Sequence, residues 1–130
     1  MQAQMNAVER IGEAKTILLT TYRRNGTPVG TAVHVVRVGD RLFMRTYDPS
    51  GKVKRMRNNP DVEIATSKMN GTPTGSPIHA RVVFLHGDDE TVARKAINHK
   101  YPISQRYLVP WFHRLRGLKT VHIELIPVVE

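Results

Sequence analysis

Apolar residues recur along this chain with two different periods, and the switches between them mark out its elements. Residues 3–13 read as a helix, with Met5, Val8, Ile11 and Gly12 on one stripe and Asn6, Glu9 and Arg10 opposite. Residues 15–22 (KTILLTTY) are rich in Thr, Ile and Leu and read as a strand. Asn25-Gly26 then signals a turn, because both residue types tolerate positive φ. Residues 28–38 (PVGTAVHVVRV) form one second strand, and Gly39-Asp40 turns the chain into a third, 41–47 (RLFMRTY). Asp48-Pro49-Ser50-Gly51 breaks that strand. A short basic helix follows over 51–58, with Val53 and Met56 at i, i+3 spacing, until Asn59-Pro60 ends it.

The second half continues in the same way. Residues 61–67 alternate Val62, Ile64 and Thr66 as a fourth strand, 69–77 form a loop, and 78–86 are a fifth strand. Asp88 or Asp89 is expected to cap a helix over 89–100, with Val92, Ala93, Ala96 and Ile97 as its stripe. Residues 103–116 show helical spacing at Tyr107, Leu108, Trp111, Phe112 and Leu115, with Gly117 as the closing residue. A last strand, 119–126, alternates Val121, Ile123 and Leu125. The order α-β-β-β-α-β-β-α-α-β predicts a mainly β molecule, a small barrel or twisted sheet of six strands with helical covers. No repeat, low-complexity tract or linker interrupts residues 1–130, so the chain reads as one domain. The βαβ alternation of a dinucleotide-binding domain is absent, as are G-x-G-x-x-G and P-loop motifs.

Composition narrows the chemistry. Hydrophobic residues at 40% and charged residues at 24% describe a globular chain. No run of 18 apolar residues predicts a membrane span, and residues 1–14 have no apolar core of signal-peptide type, so a cytoplasmic location is expected. With no cysteine, disulfides, zinc–thiolate sites, iron–sulfur clusters and a Cys nucleophile are excluded. The net charge of +9 asks for an anionic partner: nucleic acid, a membrane surface, or a phosphorylated or polycarboxylated small molecule. Residues 48–60 alone carry four basic residues against one acidic, a third of that net charge.

Side chains with their own reactivity are scarce. The six histidines show no metal-ligand spacing, and His34, His79, His86 and His122, in separate strands, read as solvated or hydrogen-bonded residues. The four serines include no G-x-S-x-G elbow and no S-x-x-K, and no carboxylates are paired for acid–base work. An enzyme of this composition would let a cofactor carry the reaction.

The strongest constellation is RTYDPSGKVKRMRNNP, residues 45–60. Arg45 and Thr46 end a strand, Ser50 and Gly51 open a helix, and Lys52 lies in its first turn, where exposed N–H groups and the helix dipole attract phosphate. Lys54, Arg55 and Arg57 extend the positive field; the competing reading is a solvated basic helix face. Along Val29, Gly30, Thr31 and Ala32, small residues on one strand face leave either a shelf for a flat ring or room for a closely crossing segment. A basic nucleic-acid-binding module fits the charge, but aromatics are only 6% and do not interleave with the Lys/Arg cluster, so no nucleic-acid partner is expected.

The opening helix, TILLTTYRRNGTPVGTAVHVV, GDRLFMRTY, the GKxxRMRxNPxVEIA passage and the closing strand together resemble the flavin/deazaflavin split-barrel oxidoreductases, the PPOX class around pyridoxamine 5′-phosphate oxidase. The similarity spans nearly the whole chain and is nearest to the branch using the deazaflavin coenzyme F420. It implies an FMN-binding type split barrel of six antiparallel strands and a homodimer with cofactor sites at its interface. It also implies an F420-dependent flavoprotein reductase passing a hydride to an electron-poor small-molecule substrate, with FMN as the alternative cofactor. On this resemblance Arg45, Thr46, Ser50, Gly51, Lys52 and Arg55 hold the phosphate, Val29, Gly30, Thr31 and Ala32 line the ring, and Trp111 and His113 of a partner close the pocket. The R-x-x-L-L-K strand and the C-terminal motifs of pyridoxamine-phosphate oxidases are missing, which argues against the vitamin B6 reaction.

Overall fold

A computed structural model describes residues 2–101 and 119–128, with side chains from residue 7 onward. Helix α1 (Gln2–Glu13) leads into β1 (Ile17–Tyr22), β2 (Pro28–Val33), β3 (Val35–Val38) and β4 (Arg41–Asp48). Helix α2 (Gly51–Asn58), β5 (Asp61–Thr66), β6 (Ile78–Phe84), α3 (Gly87–Lys100) and β7 (Lys119–Pro127) follow. The strands form one antiparallel sheet in the order β2-β1-β5-β6-β7-β4-β3, curled into the half-barrel of a split barrel.

The strand count is seven rather than six because residues 28–38 do not form one strand. The run breaks at His34: β2 pairs with β1 at one edge of the sheet, and β3 pairs with β4 at the other. A single apolar stretch thus joins the two edges. The unbroken Val-rich pattern hides the break because the chain is apolar on both faces here: Val33 and Val35 point into the main core, Val36 into a second one. The main core fills the barrel with side chains including Ile17, Leu19, Leu42, Met44, Ile64 and Ile123, and α1 closes it with Val8 and Ile11. The second core lies under α3, where Ala93 and Ile97 meet Val36, Phe43, Leu85 and Tyr101.

The turns follow the local signals. Gly26 (φ 89°) and Gly39 (φ 64°) take the left-handed conformations that the two hairpins require. Ser50 caps α2 by accepting from the Val53 N–H at 3.3 Å, and Val53 and Met56 are buried. Helix α3 departs from expectation. It starts at Gly87, His86 occupies the cap position, and no side chain caps it. Asp88, Asp89 and Glu90 sit instead in its first turn, where they favour the helix through its dipole. Val92 is 41% exposed, so the stripe of that helix is Ala93 and Ile97, with Ala96 partly buried beside them. The expected helix over 103–116 lies outside the described residues.

What holds the crossing at His34 comes from the end of α3. The Lys100 ammonium donates to three carbonyls, Gly12 O at 3.0 Å, Ala14 O at 2.8 Å and Val35 O at 2.7 Å. The Tyr101 hydroxyl lies 2.8 Å from Lys15 O and 2.9 Å from Val35 O, and its ring stacks on His34 at 4.2 Å between centroids. Lys100→Met should therefore destabilise the fold by about 3 kcal/mol, since it strips a charged donor from three carbonyls at once. Tyr101→Phe should cost about 1–2 kcal/mol, since the hydroxyl donates one neutral hydrogen bond and accepts a long one from the Val35 N–H at 3.4 Å. Urea unfolding followed by circular dichroism measures both, and a Lys100→Met loss no larger than that of Tyr101→Phe would refute the clamp.

Candidate functional site

The end of β4 and the start of α2 are brought against the point where β2 gives way to β3. There a hollow of ≈280 Å³ is lined by Thr16, Ala32, Val33, His34, Arg45, Thr46, Tyr47, Lys52 and Met69. Four of the residues expected from sequence, Ala32, Arg45, Thr46 and Lys52, thus meet at one place. Ser50 and Gly51 line a neighbouring hollow of ≈570 Å³ with Asp48, Pro49, Lys54, Arg57 and Asn58. The stretch 45–52 therefore separates the two hollows and contributes to both.

Thr46 is 1% exposed, and its hydroxyl has no hydrogen-bond partner. A buried hydroxyl left in that state costs about 1–3 kcal/mol. Lys52 is half-buried; burial first, and then the nearby Arg55 charge, hold its ammonium below the ordinary lysine pKa. Burial likewise lowers the pKa of Arg45, with Arg94 adding to it and Tyr47 opposing. The hollow is thus lined by two partly desolvated cations, Arg45 and Lys52, an arrangement that favours an anion.

Arg55 has a different attachment. Its Nε donates to the buried Thr21 Oγ1 at 2.7 Å, which ties α2 to β1. A Cβ on Gly51 would lie 2.8 Å from Arg55 Nη1, so the glycine makes room for that guanidinium. On β2, Gly30 is exposed, and a Cβ there would meet Leu18 Cδ1 of β1 at 3.0 Å. Ala32 is approached by the turn after β5, where a Cβ on Gly71 would stand 4.0 Å from the Ala32 Cβ. Val29, Gly30 and Thr31 are not among the described residues lining either hollow. Trp111 and His113 lie outside the described residues.

Several residues reach the site without a sequence signal. His34 is on the wall of the smaller hollow, its ring fixed parallel to Tyr101, and burial together with Lys100 and Lys15 lowers its pKa. Tyr47 shares the wall, and burial raises its phenol pKa. Behind the wall, Arg45 Nε donates to His122 Nε2 at 3.0 Å across the β4–β7 pair. His122 is 3% exposed, the hydrogen-bonded one of the two states expected of a strand histidine. Burial, with Arg45 and Arg94 adding to it and Glu90 opposing, brings its pKa down to about 4. No helix among the described residues is long and apolar enough to cross a membrane.

No model of a protein family and no curated protein matches this sequence. Solved structures do share the fold. A candidate pyridoxamine 5′-phosphate oxidase from Listeria innocua superposes with TM-score 0.66 at 14% identity, over 98% of this chain and 94% of that one. A FAD-binding protein from Mesorhizobium loti gives 0.65 at 13% identity, over 99% and 89%. The heme storage protein HutZ from Vibrio cholerae gives 0.63 at 16% identity, over 96% and 89%. The fold is thus the split barrel of pyridoxamine-phosphate-oxidase type, a frame on which different cofactors are held.

The neutrality of His122 has a consequence for stability. Between its ordinary value of 6.5 and the folded value of about 4, the unfolded chain binds a proton that the folded chain does not. Stability contributed at pH 7 is therefore lost as pH falls through that window, by up to about 3 kcal/mol. His122→Gln cannot titrate and should lose correspondingly less between pH 7 and pH 4. Urea midpoints at both pH values check this, and equal losses in the two proteins would acquit His122.

Proposed function

We propose that this chain is an oxidoreductase of the flavin class that anchors its cofactor by a phosphate between Arg45, Thr46 and Lys52. The observation carrying this reading is the buried Thr46 hydroxyl without a partner, set in a hollow walled by two partly desolvated cations. A phosphate oxygen is the acceptor that hydroxyl lacks, and its charge offsets the burial of both cations. The residues present therefore fit a phosphate-bearing cofactor. Flavin-binding proteins occur among the split barrels of the same fold, which agrees with this choice.

Within that class we propose F420, with FMN as the alternative. FMN ends at its phosphate, whereas F420 continues beyond it into an anionic polyglutamate tail. The second hollow, with Ser50, Gly51, Lys54 and Arg57 on its walls, offers such a tail a basic path next to the phosphate position. When bound, reduced F420 supplies a hydride for an electron-poor small-molecule substrate. The protein's part is binding and orientation. Lys52 and Arg45 hold the charge, Thr46 donates one directed hydrogen bond, and the small Ala32 on the wall of the hollow leaves room for a flat ring. The hollow is at the lower end of small-molecule sites, which run from roughly 300 Å³ upward. A second wall is needed, and we propose that a partner copy in a homodimer supplies it, with Trp111 and His113 as contributors.

Fluorescence titration of purified protein with F420 and with FMN tests the reading. F420 is expected to bind more tightly, and Lys52→Ala should weaken it by about 1.5–3 kcal/mol, the scale of a hydrogen bond to a charged group. Tight FMN binding with none of F420 would replace the deazaflavin by FMN. A Soret band in the purified protein would replace both by heme, and unchanged affinity in Lys52→Ala would move the phosphate elsewhere.

A further inference from the structure

We infer that His122 is a positioning residue: it holds the Arg45 guanidinium by its Nε and so sets the direction in which that arginine meets an anion in the hollow. The inference rests on the reading of Arg45 as a phosphate ligand. Its basis is geometric. Arg45 and His122 are directly opposed on β4 and β7, the Nε–Nε2 distance is 3.0 Å, and the histidine is 3% exposed. A guanidinium is a rigid planar fork, so fixing the Nε–H fixes the plane and heading of both Nη groups. Nothing about the arginine alone would achieve this, because the rest of its side chain rotates.

The arrangement works in one protonation state. Nε2 must present a lone pair to the arginine, which places the ring proton on Nδ1 in the neutral imidazole. Nδ1 has no hydrogen-bond partner; Glu90 Oε2 stands 3.6 Å away. Protonation would turn Nε2 into a donor facing another donor and put two cations side by side. Among the described residues the charged groups acting on the ring are Arg45 from β4 and Glu90 and Arg94 from α3; on the side of β6 the Leu85 backbone N–H bonds to the His122 backbone carbonyl at 2.9 Å. Glu90 favours the imidazolium; burial and the two arginines oppose it and keep the ring an acceptor.

The test compares wild type with His122→Gln, whose side-chain carbonyl can still accept from Arg45, and His122→Leu, which cannot. Each is titrated with F420 and with FMN between pH 7 and pH 4.5. The ¹⁵N resonances of His122 and of Arg45 Nε are recorded in the wild type without any cofactor. The expected results are an Nδ1–H tautomer, affinity at least about tenfold weaker in His122→Leu at pH 7, and affinity within about twofold of wild type in His122→Gln. Wild-type affinity should also fall more steeply with acid than that of His122→Gln, since the titration of the ligand's own phosphate is common to both. Equal affinities in all three proteins, an Nε2–H tautomer, or a His122→Gln protein as weak as His122→Leu would overturn the positioning role and leave the cofactor reading standing. Wild type that binds neither F420 nor FMN would instead overturn the cofactor reading beneath it.

Discussion

A split barrel has to carry one continuous segment from one edge of its sheet to the other, and here the passage occurs at His34. A segment that changes partner strands leaves backbone groups that neither ladder can satisfy fully, and a buried carbonyl without a donor is costly. Lys100 and Tyr101 meet this requirement together. One ammonium takes the carbonyls of Gly12, Ala14 and Val35, which joins the end of α1 to the start of β3, and one hydroxyl adds Lys15 to the same knot. The Tyr101 ring then stacks on His34 itself. Helix α1, the edge strand β3 and helix α3 are thereby fixed to one another at a single point, and His34 on the wall of the smaller hollow inherits that rigidity.

The surplus of positive charge looks different once its partners are known. Much of it is structural: Arg41 forms a two-pronged pair with Glu124 on β7, Arg57 meets Asp48 at 2.9 Å, and Arg55 is bonded to Thr21. The first joins two strands of the sheet, and the other two tie α2 to it. Arg45 and Lys52 are cations whose surroundings work against them, partly desolvated and each with another positive charge nearby. The basic residues of the passage 48–60 are therefore a mixture: Arg55 and Arg57 are bonded within the fold, and Lys52 lines the smaller hollow.

Local signals in the sequence were sufficient for elements and turns. Asn25-Gly26, Gly39-Asp40 and Ser50 act through their own backbone preferences, so their roles could be read without knowing anything distant. The positions of Arg45, Thr46 and Lys52 were equally local, since the end of β4 runs straight into α2. The break at His34 was not legible, because alternation cannot reveal a change of partner when both faces of the strand are buried. Nor was the role of His122, which lies 77 residues from Arg45 and becomes its neighbour only through the pairing of β4 with β7. Lys100 had the same disguise: in sequence it is one more basic residue at a helix end. Long-range polar contacts leave no periodicity, and that is the class of information the pattern lacked.

The groups around the smaller hollow would each be better served elsewhere if stability were all that counted. Thr46 could be a valine of similar shape without an unsatisfied hydroxyl, and Lys52 could turn outward into water. The fold instead sets Arg45, Thr46 and Lys52 along one hollow, with the buried His122 bonded to the first of them. On the proposed reading a single anion would reverse these costs together, its oxygens accepting from Thr46 and its charge offsetting the burial of Arg45 and Lys52. Features that destabilise the fold yet share one remedy are better explained by the remedy than by three separate accidents of packing, and the remedy we propose is a phosphate-sized anion between β4 and α2.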